Sequence, residues 1–146
     1  MSKACSVDFS EIEQLRKQVE QMAEFDKKGF LHETVEAIAQ ELLANVIKRT
    51  PVDTGTLRRA WTKTNVVDHG SYVEIIVYNP TEYAEWVEKG HRQEVGRYVP
   101  AIGKKLVKDR VLGKFFLLKS EIETESEMNK IIRTRLERVL KRMLKC

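Results

Sequence analysis

The chain has 146 residues, 42% of them hydrophobic, enough for one compact domain and too short for two independent cores. Charged residues at 33% and aromatics at 8% exclude the disordered and fibrous classes, and no apolar run approaches the roughly 20 residues that cross a bilayer. The formal charge of +4 is unevenly spread: residues 91–120 hold eight Lys and Arg against two Asp and Glu, whereas residues 1–90 are net acidic.

A basic segment of this kind attracts phosphate or an acidic protein surface, and it can equally be a solvated loop. Residues 1–10 lack the apolar core of a secretory signal, which points to a cytosolic protein. Cys5 and Cys146 stand near opposite ends without metal-site or disulfide spacing, and are read as reduced thiols.

In chain order, Ser10 and Glu13 fit a capping box. Ile12, Leu15, Val19 and Met22 then follow at helical spacing on an otherwise polar segment. Gly29 offers a stop after Lys27 and Lys28, so residues 1–29 are read as an N-terminal amphipathic helix and residues 30–146 as a single domain. A stronger helix follows, with Leu31, Val35, Ile38, Leu42 and Val46 on one face and Ala39, Leu43 and Ile47 widening it. It should end at Thr50-Pro51, because proline disfavours helical geometry in the residue before it.

Beyond Trp61 the hydrophobic period changes to two. Val73, Ile75 and Val77 share one strand face and Tyr72, Glu74, Ile76 and Tyr78 the other. The run from Ala60 to Val67 is rich in Thr and Val, and the intervening Asp68-His69-Gly70-Ser71 is turn chemistry, so an antiparallel hairpin is predicted. Tyr83 to Glu88 reads as a short helix or bend ending at Gly90.

Residues 91–113 show no sustained periodicity and read as a long loop with a short strand near Tyr98-Val99. Its cations include Arg97, Lys104, Lys105, Lys108 and Arg110, with Lys114 beside it. Ile122, Met128, Ile132, Leu136, Val139 and Met143 give a C-terminal helix, with Glu121, Glu123, Glu125 and Glu127 toward its start complementing the helix dipole. The whole predicts an α+β fold: a small antiparallel sheet packed against flanking helices, with a long basic loop.

Catalytic chemistry finds little support. Asp53-Thr54-Gly55 is the triplet of aspartic proteases, but it follows a helix and a proline, and Arg58 and Arg59 would depress a carboxyl pKa that such a dyad must raise. The alternative is a turn in which Pro51 sets the chain direction, Asp53 or Thr54 caps a helical turn around Leu57, and Gly55 supplies a backbone geometry other residues resist. His32, His69 and His91 lack metal-ligand spacing, and no phosphate loop, dinucleotide fingerprint or nucleophile elbow is present. No catalytic residue, cofactor or metal is therefore expected.

Two segments carry a family resemblance. Arg49-Thr50-Pro51-Val52-Asp53-Thr54-Gly55-Thr56-Leu57-Arg58-Arg59-Ala60-Trp61 resembles the signature that opens the sheet in the tail-completion, or head-to-tail joining, proteins of long-tailed bacteriophages and prophages. Tyr83-Ala84-Glu85-Trp86-Val87-Glu88-Lys89-Gly90-His91-Arg92 is similar to that family's Tyr-Ala-x-x-Val-Glu-x-Gly block. The resemblance covers roughly residues 30–145. It implies a non-enzymatic α+β subunit that forms a ring, often a hexamer, at the head-proximal end of the tail. Isolated copies can remain monomeric. The implied partners are further copies, tail tube proteins and head connector proteins. The implied location is the bacterial host cytoplasm during assembly and then the virion neck or tail, with no membrane.

For such a ring, Trp61, Tyr83 and Trp86 would supply apolar area, while Glu85 and Glu88 face Arg58, Arg59 or Arg92 of the next copy. Either Trp could instead belong to the monomer core. Residues 92–114 would project as a mobile basic loop that orders against a ring neighbour, the connector or DNA. The alternative function is a basic nucleic-acid-binding module using the same segment.

Overall fold

The computed structural model describes Glu13, Gln14, Arg16, Lys17, Glu20 and residues 26–144. Of the N-terminal helix expected from the capping box, Ser10 and the apolar stripe lie outside the described residues. Glu13, Gln14, Arg16, Lys17 and Glu20 are helical, with Arg16 donating to Glu20 at 2.9 Å.

Gly29 is not a stop. Helix α1 spans Lys27–Arg49, and Asp26 caps it by accepting from the Gly29 N–H at 2.9 Å. Asp26 is an N-cap side chain of the favoured kind, so Lys27 and Lys28 open a helix rather than close one. Further along, Leu31 is exposed, and the buried positions are Thr34, Ala39 and Val46. The inward face is wider than one stripe because α1 is covered on two sides.

On one side lies helix α4 (Phe116–Leu144), running antiparallel to α1. Asn45 donates to Thr124 at 3.2 Å, Arg49 pairs with Glu123 at 2.6 Å, and Arg135 approaches Glu33 at 3.7 Å. The buried residues of α4 are Phe116, Ser120 and Thr124, while Ile122, expected on the apolar face, is exposed. Small hydroxyl residues allow close helix approach, and Ser120 is satisfied by donating to the Phe116 carbonyl at 2.7 Å.

On the other side lies the expected hairpin. Strands β1 (Thr62–Lys63) and β4 (Val77–Tyr78) pair antiparallel, as do β2 (Val67–Asp68) and β3 (Val73–Glu74). Thr64 N–H donates to the Ile76 carbonyl at 2.9 Å, and the pairing register shifts by one residue between the two pairs, so a bulge joins them into one ribbon. Val73, Ile75 and Val77 face inward and their neighbours outward, as the period-two pattern predicts. Lys63 bonds Glu36, and Lys28 reaches Asp68 at 3.4 Å, which aligns the ribbon along α1.

The core sits where these pieces converge. Helix α1 ends at Thr50, whose N–H donates to the Val46 carbonyl at 2.9 Å, and Pro51 follows. Gly55, at φ 81°, turns the chain into the short helix α2 (Thr56–Arg59). Val46, Leu57, Trp61 and Phe116 form the buried cluster, with Trp61 edge-on to Phe116 at 6.0 Å. Helix α3 (Ala84–Lys89) closes it through Ala84 and Val87. The arrangement is α+β, with small two-stranded antiparallel sheets beside the helices.

Replacing Thr50 by Val should leave the buried Trp61 indole N–H without its acceptor, lowering stability by about 1–3 kcal/mol in urea unfolding. A second expectation concerns pH. The Lys63 bond holds the Glu36 carboxyl below its ordinary value, against the opposing effect of burial and with help from Gln40. A carboxyl depressed in the folded state contributes stability above its unfolded pKa and loses it as pH falls through the folded one. Thermal unfolding from pH 7 down to pH 3 should therefore show a smaller acid loss in Glu36→Gln than in the parent.

Candidate functional site

The segment read as a long basic loop is a second β-ribbon. Strands β5 (Gly90–Arg92) and β8 (Arg110–Leu112) pair antiparallel, and β6 (Tyr98–Val99) pairs with β7 (Lys104–Lys105). Between them Gln93 N–H donates to the Asp109 carbonyl at 2.6 Å and Leu106 N–H to the Arg97 carbonyl at 2.9 Å. The ribbon is thus closed by its own backbone bonds.

Gly96, at φ 87°, takes the third position of a turn in which Arg97 N–H donates to the Glu94 carbonyl at 3.2 Å. That conformation favours glycine and inserts one extra residue into the first strand, a bulge that bends and twists the ribbon. A 3-10 turn over Pro100–Ile102, ended by Gly103, makes the tip. From Glu94 to Leu112 every residue is exposed except the half-buried Val99 and Leu106, so this arm stands clear of the domain.

The arm is seated by backbone contact. A Cβ on Gly90, at φ 77°, would lie 2.3 Å from the Val111 carbonyl oxygen, and one on Gly113 would lie 2.4 Å from that of Glu88. Only glycines permit this approach. After the arm, Lys114 and Phe115 donate to the carbonyls of Val87 and Glu88 at 3.0 and 3.1 Å. The Glu88 carboxylate accepts from the N–H groups of Leu117 and Leu118, at 3.0 and 3.1 Å, and so caps α4 from outside. Glu121 to Glu127 begin beyond the first turn, where the dipole acts weakly, and the carboxylate at the helix start is that of Glu88.

The expected contact residues separate into two groups. Trp61 is 8% exposed and donates to the Thr50 hydroxyl at 2.8 Å, so it belongs to the core and not to an interface. Glu88 is committed to α4, Arg58 donates to the Thr50 carbonyl at 2.8 and 3.2 Å, and Arg59 donates to that of Thr54 at 3.2 Å. Outward-facing residues are Tyr83, Trp86 at 61% exposure, and Arg92. The Trp86 ring lies 6.0 Å from that of His91, at the root of the arm. Glu85 pairs with Lys89 at 2.8 Å, which lowers the Glu85 pKa and raises that of Lys89, but an exposed pair of this kind re-partners easily.

The turn at Pro51–Gly55 leads directly into α2. Gly55 is the cap position of α2, Thr54 accepts weakly from the Thr56 N–H at 3.4 Å, and Asp53 is exposed, so of the two caps foreseen only Thr54 takes part. Among the described residues no group of three or more His, Cys, Asp or Glu could hold a metal ion, and no helix is long and apolar enough to cross a membrane.

Among the described residues, then, Arg58 and Glu88 are engaged at helix ends, while Tyr83, Trp86 and Arg92 point outward. Residues 13–90 match the family described as "Bacteriophage HK97-gp10, putative tail-component", and the chain belongs to that family. No curated protein and no solved structure matches it. The family is one of phage structural components, which points to a non-enzymatic role in the virion.

Glu88→Ala should remove the external cap of α4 and lower stability by about 1–2 kcal/mol in thermal unfolding, whereas Glu85→Ala should change it little.

Proposed function

We propose that the protein is a ring-forming subunit at the head-proximal end of the tail, where it joins the tail to the head connector. The observation that carries this reading is Trp86: within a matched phage tail-component segment, the largest side chain type stands outside the fold. Exposed Trp, Tyr and Arg are the residues that dominate binding energy when an interface closes over them. Tyr83 and Arg92 lie near it in sequence, on the same outward-facing stretch. Among the described residues, exposed large apolar side chains outnumber buried ones several-fold, which fits a subunit that completes its burial in an assembly.

In a closed ring each copy presents one surface to one neighbour and a different surface to the other. At low concentration the isolated chain is then a monomer with both surfaces open, self-association needs high concentration, and the growing tail or the connector supplies the template.

Trp86→Ala should leave circular dichroism and the unfolding midpoint close to the parent, since the residue touches little of the core. The same variant, expressed as the sole copy, should be depleted from purified particles and should yield heads and tails that fail to join. Normal incorporation with normal joining would remove Trp86 from the interface, and labelled parent subunits absent from the neck would refute the location.

A further inference from the structure

The arm carries two features that a solvated ribbon does not need. Arg92 and Arg110 stand directly opposite each other in the β5–β8 register, and neither makes an ion pair among the described residues. Like charges facing across a strand pair are destabilising, so the arrangement is favourable only when an anionic group lies between or above them. The second feature is an open groove of about 880 Å³ along the arm, where Val107 and Leu112 stand with three cations, Lys108, Arg110 and Lys114, against one carboxylate, Asp109. Val107 is 86% exposed and Leu112 77%. A ligand for this surface must be acidic and apolar at once, which free phosphate or duplex DNA is not.

The same chain contains such a surface. On α4, Leu118, Glu121, Ile122 and Glu125 fall at spacings of three and four on the side away from α1, and all four are exposed. Ile122 is 59% exposed, and Glu121 and Glu125 make no ion pair among the described residues. Glu123, one position away, is already taken by Arg49. The stretch Leu118–Glu125 makes about two helical turns, roughly 11 Å long.

We propose that the arm of one copy clasps the Leu118–Glu125 face of α4 in a second copy, with Val107 and Leu112 against Leu118 and Ile122, and Arg92 and Arg110 against Glu121 and Glu125. This rests on the ring reading and names its contact. Arm and receiving helix are different patches, so the contact is head-to-tail and propagates around a ring instead of closing a twofold dimer. Its two halves carry opposite charge, so each copy avoids arm-to-arm pairing.

The test uses the full-length chain at high concentration, half of it labelled with nitrogen-15, with zero-length carboxylate-to-amine cross-linking. Hybrid light–heavy peptides joining Lys108 or Lys114, which line the groove, to Glu121 or Glu125 are expected. Arg92→Glu with Arg110→Glu, or Glu121→Lys with Glu125→Lys, should each weaken self-association about tenfold or more by sedimentation, and mixing the two reversed chains should restore it to within about threefold. Circular dichroism of each variant checks folding, which these exposed positions should not disturb. Self-association that persists with the arm reversed and without hybrid peptides would overturn the clasp and leave the ring reading standing. A chain that stays monomeric without hybrid peptides would also overturn the clasp, while neck location and joining test the ring separately. Duplex DNA binding that falls log-linearly with salt and vanishes in the arginine variant, again without hybrid peptides, would assign the arm to nucleic acid.

Discussion

The fold turns on one buried hydroxyl. Thr50 is fully buried at the end of α1, and its Oγ1 donates back to the Val46 carbonyl at 2.5 Å while accepting the Trp61 indole N–H. Its carbonyl, which no helical N–H can reach once Pro51 follows, accepts the Arg58 guanidinium instead. Three chain segments are tied to one residue in this way: the helix that ends there, the short helix after the turn, and the start of the first ribbon. Buried polar groups are costly unless paired, so the knot admits few alternative geometries. Trp61 is thereby held edge-on to Phe116, and the placement of α4 follows from that of α1.

Two ribbons of similar construction then meet different fates. The first lies along α1, where Lys63 meets Glu36 and alternate residues turn inward. The second leaves the domain at Gly90 and returns at Gly113, with backbone packed so closely at its root that no side chain fits. Its covered counterpart contributes to the core, while the arm contributes almost nothing to the monomer's burial. A projecting ribbon with two open edges is a liability for a free protein, and charged side chains are the usual defence. Here the six Lys and Arg of the arm serve that end and also restrict which surface it can meet.

Much of this was legible from residue order. The break at Thr50-Pro51, the hairpin around Asp68–Ser71, the alternation from Tyr72 to Tyr78 and the short helix ending at Gly90 follow from local rules, and the structure has them where those rules put them. The arm was hidden for a physical reason. Alternation marks a strand when one face is buried, and in the arm both faces are exposed, so Gly96, Pro100 and Gly103 read as loop punctuation when they are a bulge and a hairpin turn. Gly29 misled in the opposite sense, because the Asp26 cap is visible only once the helix start is known. Trp61 stays open between core and interface in the sequence, and Glu88 reads as an interface residue, because residue type cannot distinguish a buried hydrogen-bonded indole from an exposed one, nor a capping carboxylate from a free one. Trp86, two residues before Glu88 on the same short helix, has the opposite environment.

The charge pattern gains meaning from these commitments. If Glu121 and Glu125 were needed to cap α4, or Arg92 and Arg110 to steady the arm, their opposite signs would be spent within one chain. Glu88 caps the helix, and Arg49 takes Glu123, so Glu121 and Glu125 on the outer face of α4 make no ion pair among the described residues. The arm is closed by backbone bonds, and Arg92 and Arg110 make no ion pair among the described residues. Acid and base therefore face solvent on separate elements of a chain with net charge +4, a distribution that favours ordered, directional contact over nonspecific clustering. Exposed charges acting across a Debye length of about 8 Å at physiological salt steer approach more than they hold a complex, and the apolar residues beside them supply the area that does.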